Sequence, residues 1–197
     1  MTAIGTKVKG YSDKQLLDRV KSLPSYKYIP NEHWILGVQS QEGTYNEFDD
    51  KFYLFKGEEF ILVTSGTTNS GATGLKNFTK FHLKGTAVIK TDEWYYDLWK
   101  YGLHKKKMLS LKQVAPIKYY RDWNRNKKVE EMGKMYEGLI GIDFHTDTYI
   151  KGSNIFKKFI NGWSLGCQVV NNVRDYYKIL YIVKDQKRVD YCLIKEF

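Results

Sequence analysis

Residues 162–170 read Gly-Trp-Ser-Leu-Gly-Cys-Gln-Val-Val, and residues 139–146 read Leu-Ile-Gly-Ile-Asp-Phe-His-Thr. In the first stretch a cysteine, Cys167, follows a turn of small residues (Ser164, Gly166) and leads into an apolar run. In the second, His145 closes an apolar run. A thiol and an imidazole are the parts of a nucleophilic pair, because the thiolate is the reactive form of cysteine and a neighbouring imidazole generates it at neutral pH. Gly166 lets the backbone turn tightly and can aim amide N–H groups at a developing oxyanion. The structural alternative is plain: Cys167 as a small buried hydrophobe and His145 as a satisfied strand-end histidine. The histidines His33, His82, His104 and His145 have no short ligand spacing, so the sequence predicts neither a metal site nor a cofactor.

A nucleophile and a base so far apart in the chain must be brought together by strands. The chain has 197 residues, 42% of them hydrophobic, which is one domain with a real core rather than a disordered segment. No apolar run is long enough to span a bilayer. The formal net charge of +10 predicts attraction to polyanions such as nucleic acid, anionic lipid or an anionic bacterial wall. No zinc-finger, helix-turn-helix or RNA-recognition pattern is present, so no nucleic acid partner is expected. Two cysteines make no disulfide framework; Cys192 lies in an alternating strand pattern and reads as core. No secretory signal opens the sequence, which predicts synthesis in the cytoplasm.

Taken in order, Ser12 and Gln15 form a capping box before a helix with Leu16, Leu17 and Val20 on one face, stopped at Pro24. Strands are predicted over residues 33–39, 49–55 and 60–64, the last two joined by a four-residue loop at 56–59. Residues 65–74 are a Gly/Thr/Ser/Asn loop; a phosphate cradle fails there for want of a Gly-Lys-Ser/Thr ending and a following helix. Further strands are expected over 85–90, 116–122 and 138–144, with 124–137 a polar loop. The aromatic run 93–99 reads as helical. Asn171 or Asn172 caps a helix through Leu180, and two strands, 180–183 and 191–194, close the chain. The sum is mainly β with a few helices, residues 1–45 forming an N-terminal helix and extended segment and residues 46–197 the principal domain.

This order of elements resembles the L,D-transpeptidase (YkuD-like) catalytic domain, the cysteine enzymes that cross-link bacterial peptidoglycan. Val63-Thr64-Ser65-Gly66 matches the family's Val-Ser-Thr-Gly turn, and Gly71-Ala72-Thr73-Gly74 stands where it has Thr-Pro-Thr-Gly. Phe144-His145-Thr146 stands for Ile-His-Gly, and Ser164-Leu165-Gly166-Cys167 for Ser-His-Gly-Cys. Leu165 replaces a histidine and Val169 an Arg or Asn, a variant similar to phage-encoded relatives. The resemblance runs from about residue 52 to the end. It implies a β-sandwich or barrel acting on peptidoglycan stem peptides at the cell wall, possible virion association, and no cofactor. Cys167 would be the nucleophile and His145 the base, with the backbone N–H groups of Gly166 and Cys167 and the Ser164 hydroxyl supporting the oxyanion. Gln168, Trp163 and Thr146 would meet the substrate. It further implies an imidazole nitrogen of His145 within about 4 Å of the sulfur or a rotamer change from it, the other nitrogen on Thr146 or Asp143, and a groove rimmed by Ser164 and Gln168. Trp163 or an aromatic between 95 and 101 would form its wall. Two other readings stand beside it: an inactive structural or wall-binding module on the same fold, and sortase-like chemistry using Arg174 or Arg188.

Overall fold

The computed structural model describes residues 6–80 and 84–197; His82 lies outside them. The chain is mainly β, as expected, with three short helices. Eight strands close a barrel in the order β1 (His33–Gln39), β11 (Val189–Lys195), β5 (Glu93–His104), β6 (Met108–Gln113), β9 (Phe144–Thr146), β10 (Gln168–Val170), β3 (Glu59–Thr67) and β2 (Asp50–Lys56). A separate three-stranded sheet is formed by β4 (Thr86–Ile89), β7 (Ile117–Asp122) and β8 (Tyr136–Gly138). Two barrel pairs are parallel, β1 with β11 and β9 with β10; the other pairings are antiparallel.

Strand alternation builds two cores. Ile35, Phe52, Leu54, Tyr191 and Leu193 point into one, joined by Tyr176, Ile179, Leu180 and Val183 of α3 (Val173–Val183). Their neighbours Trp34, Leu36, Tyr53, Phe55, Cys192 and Ile194 point to the other face, where α1 (Asp13–Lys21) covers them with Leu16, Leu17 and Val20. Period-two side-chain placement and burial of both faces explain why these strands are apolar almost throughout. The capping box at Ser12 and Gln15 is formed. The first 45 residues contribute a barrel strand, because β1 pairs with both β2 and β11.

Several local expectations are corrected. The β2–β3 hairpin turns on two residues, Gly57 and Glu58, rather than four, with Gly57 at φ 56°. Strand β3 continues to Thr67, and the loop after it does lead into a short helix, α2 (Ala72–Asn77). Residues 93–99 are strand, not helix. A bulge at Asp97 (φ 55°), whose amide donates to Asp190 Oδ1, resets the alternation, so the apolar spacing imitates a helix. Residues 180–183 are the last turn of α3, leaving one closing strand, β11. The stretch 139–143 is not strand: Gly141 takes φ 79°, and Gln113 Oε1 accepts from the amides of Ile140 and Ile142 where a ladder partner would otherwise stand.

Candidate active site

The parallel β9–β10 pair sets the geometry. Its register places Val169 beside His145 and Gln168 beside Phe144, so the Cys167 turn lies against residues 143–145. The Gln168 amide donates to the Asp143 carbonyl at 3.0 Å. The turn is shaped by Gly166, at φ 127°, and by Ser164, which is fully buried. Ser164 Oγ donates to the Cys167 carbonyl at 2.8 Å and accepts from the Gly166 amide at 3.1 Å. Both residues therefore hold the turn, and neither offers a free donor to an oxyanion. The Cys167 amide makes no hydrogen bond among the described residues and is left for that role.

One ring nitrogen of His145, one of His104 and Cys167 Sγ all lie within 4.8 Å of one another. His145 Nδ1 donates to its neighbour's carbonyl, Thr146 O, at 2.8 Å, which fixes the tautomer and leaves the lone pair on Nε2. Thr146 itself is buried, its hydroxyl donating to the Val170 carbonyl, so it positions the base from within. The thiol donates to the Gly141 carbonyl at 3.4 Å.

His104 is the residue the sequence did not single out. It ends β5, and its ring stacks on His145 with centroids 4.3 Å apart and planes 22° from parallel. Its Nδ1 donates to Asp143 Oδ2 at 2.8 Å. Asp143 thus serves His104 rather than His145, and is braced by the Gln113 amide (3.0 Å) and Lys112 (3.3 Å). Burial pulls the Asp143 carboxyl upward, but the His104 bond, the Gln113 amide and Lys112 outweigh it and hold the group below its usual value.

Burial dominates the other two groups. It pushes the His145 imidazole down to about 3, assisted by His104, and the Cys167 thiol up to about 12, partly offset by a backbone bond from Asp143. Cys167 keeps some surface in the cavity, yet protein surrounds the sulfur closely enough for desolvation to prevail. The resting pair is therefore a neutral thiol beside a neutral imidazole.

The pair opens on a cavity of about 250 Å³ between the barrel and the small sheet. Trp163, Leu165, Phe78, Ala87 and Ile142 form its apolar wall, and Lys105 and Arg121 bring positive charge. A second cavity, also about 250 Å³, touches His104, His145, Tyr149 and Trp163. The aromatics at 94, 95 and 99 are core instead: Trp94 Nε1 donates to the Val20 carbonyl and Trp99 Nε1 to that of Ile142. Gln168 is buried rather than at a rim; it accepts from the Tyr191 hydroxyl, and its Nε2 donates to the carbonyls of Thr68 and Gly166. Arg174 and Arg188 lie away from the cavity, where Arg121 is the arginine present.

No short spacing in the sequence announces His104 as a partner of His145 and Cys167. The β5–β6 hairpin brings it there through a turn whose central residues, Lys105 and Lys106, both have positive φ (48° and 58°). Comparison with protein-family models, with curated proteins and with solved structures returned no match.

Proposed function

We propose that the chain is a cysteine-dependent acyl-transfer enzyme of L,D-transpeptidase type, acting on peptidoglycan stem peptides. The observation that carries this reading is the approach of His145 to Cys167 within 4.8 Å, with His145 Nδ1 tied to a backbone carbonyl. Nε2 takes the thiol proton as Sγ attacks a peptide carbonyl. Of the expected oxyanion donors, the Cys167 amide alone faces the resulting oxyanion, since the Gly166 amide and the Ser164 hydroxyl are engaged within the turn. His145 returns the proton to the leaving amine, and a thioester remains on Sγ. Water or an acceptor amine then resolves it, giving hydrolysis or exchange. Lys105 and Arg121 at the cavity suit the carboxylates of a stem peptide.

Incubating the metal-free protein with purified peptidoglycan and weighing the released muropeptides tests the reading. New cleavage or exchange products support it, and an unchanged muropeptide profile would overturn it. A second reading, a wall-binding module without catalysis, is favoured by the high thiol pKa and by Leu165 in the turn. It predicts retention on walls with no change in their composition.

The protonation states predict an unusual pH profile. His145, lowered to about 3, stays in its basic form as pH falls until it nears that value. Activity should therefore show no histidine limb above about pH 4. Cys167, raised to about 12, should alkylate about tenfold faster per pH unit through about pH 10, without a plateau. A plateau near neutrality would show a thiolate–imidazolium pair in place of the neutral one.

A further inference from the structure

Acyl transfer uses one imidazole, yet the site holds two. His104 and His145 are both buried, both face Cys167, and each has its Nδ1 committed to an acceptor, Asp143 Oδ2 and the Thr146 carbonyl respectively. Outer acceptors on Nδ1 leave the Nε2 lone pairs as ligand atoms, which is how proteins orient metal-binding histidines. We propose that His104, His145 and Cys167 form a binding site for a thiophilic divalent cation, best matched by Zn²⁺, with the fourth position open to the cavity.

The donor set carries the choice of ion. Two imidazoles and a thiolate suit a borderline-soft d¹⁰ cation, whereas Mg²⁺ and Ca²⁺ take oxygen ligands. Three protein ligands with one position open define a reactive rather than a closed structural centre. The charge balance is favourable: the thiolate and the Asp143 carboxylate stand against the ion, while Lys112 is already paired with Asp143. Lys105 lines the cavity and favours an anionic fourth ligand, such as hydroxide or a substrate carboxylate. A tetrahedral site has ligand–ligand edges of roughly 3.3–3.7 Å. The three donor atoms, within 4.8 Å, therefore close by up to about 1.5 Å on binding. Sγ leaves the Gly141 carbonyl, its proton goes to solvent, and the Sγ–metal bond forms.

Bound there, the cation occupies both the sulfur and the base. Metal binding and acyl transfer then exclude each other, so the ion acts as a reversible mask of the nucleophile. The masking rests on the acyl-transfer reading; the binding does not.

The test uses the full chain, freed of metal by a chelator. Co²⁺ is expected to bind at one equivalent with a thiolate-to-cobalt charge-transfer band, which Zn²⁺ displaces. Zn²⁺ should slow alkylation of Cys167 at least tenfold, read by mass spectrometry with Cys192 as internal control, and chelator should restore it. Cys167→Ser should remove the band. Asp143→Asn, which removes the carboxylate behind His104 and leaves all three ligands in place, should weaken Zn²⁺ binding about 10–100-fold. Absence of the band, its survival in Cys167→Ser, or an alkylation rate indifferent to Zn²⁺ in the unmutated protein would overturn the site. Zn²⁺ protection with no muropeptide chemistry in the metal-free protein upholds the metal site and overturns acyl transfer. Muropeptide chemistry without protection does the reverse.

Discussion

Cys167→Ala is expected to lower muropeptide turnover to background while the barrel stays folded. Removing the nucleophile removes every step that passes through the thioester, which no neighbouring group replaces. The structural cost is small, because Cys167 already borders a cavity and its thiol meets only backbone groups, the Gly141 carbonyl at 3.4 Å and the Asp143 backbone. Cys192→Ala is the matched contrast. Cys192 is fully buried in the core under α1, beside Trp34 and Trp94, so its loss should cost about 1 kcal/mol and leave turnover intact. Muropeptide mass analysis together with denaturant unfolding separates the two effects. Wild-type turnover by Cys167→Ala would end the nucleophile assignment.

Gly166→Ala should be the most damaging change that leaves every reacting group in place. At φ 127° the backbone is strained for any residue with a side chain. A Cβ there would also stand 2.8 Å from Ala87 Cβ and 2.9 Å from the Ala87 carbonyl. Strain and overlap together should cost about 2–3 kcal/mol. The turn relieves them by shifting, and the sulfur follows. Since a displacement of about 1 Å can cost about 100-fold in rate, turnover by the folded fraction should fall by that order. Turnover equal to wild type, measured on protein shown to be folded, would mean that this turn does not place the sulfur.

The elements readable in the sequence are those with local signals. The capping box announces α1, and β1 falls where its apolar run lies. Asn172 caps α3, with its side chain accepting from the Asp175 amide. Cys167 and His145 were legible because a small-residue turn and an apolar run each end on a reactive side chain. The rest depended on backbone conformations that residue type conceals. The β5–β6 hairpin turns on Lys105 and Lys106 in left-handed geometry, where Asn-Gly would have marked it. Strand β6 therefore went unseen, and with it the reason His104 reaches the site. The Asp97 bulge disguised β5, and the Gln113 side chain stands in for a strand over 139–143. Motif position assigned Ser164 to the oxyanion and Gln168 to substrate, but their hydrogen bonds turn inward.

Strand β11 is a keystone, inserted between β1 and β5. Ile35 meets Tyr191, so a strand near the start of the described chain completes its pairing only with one near the end. Loop-closure entropy makes such distant pairings slow to form. Until β11 is in place, β1 and β5 each present an open edge. Such edges invite association between chains at that stage. The barrel that holds His104 and His145 in place is thus closed only once β11 lies between β1 and β5, so formation of the site waits on that long-range pairing.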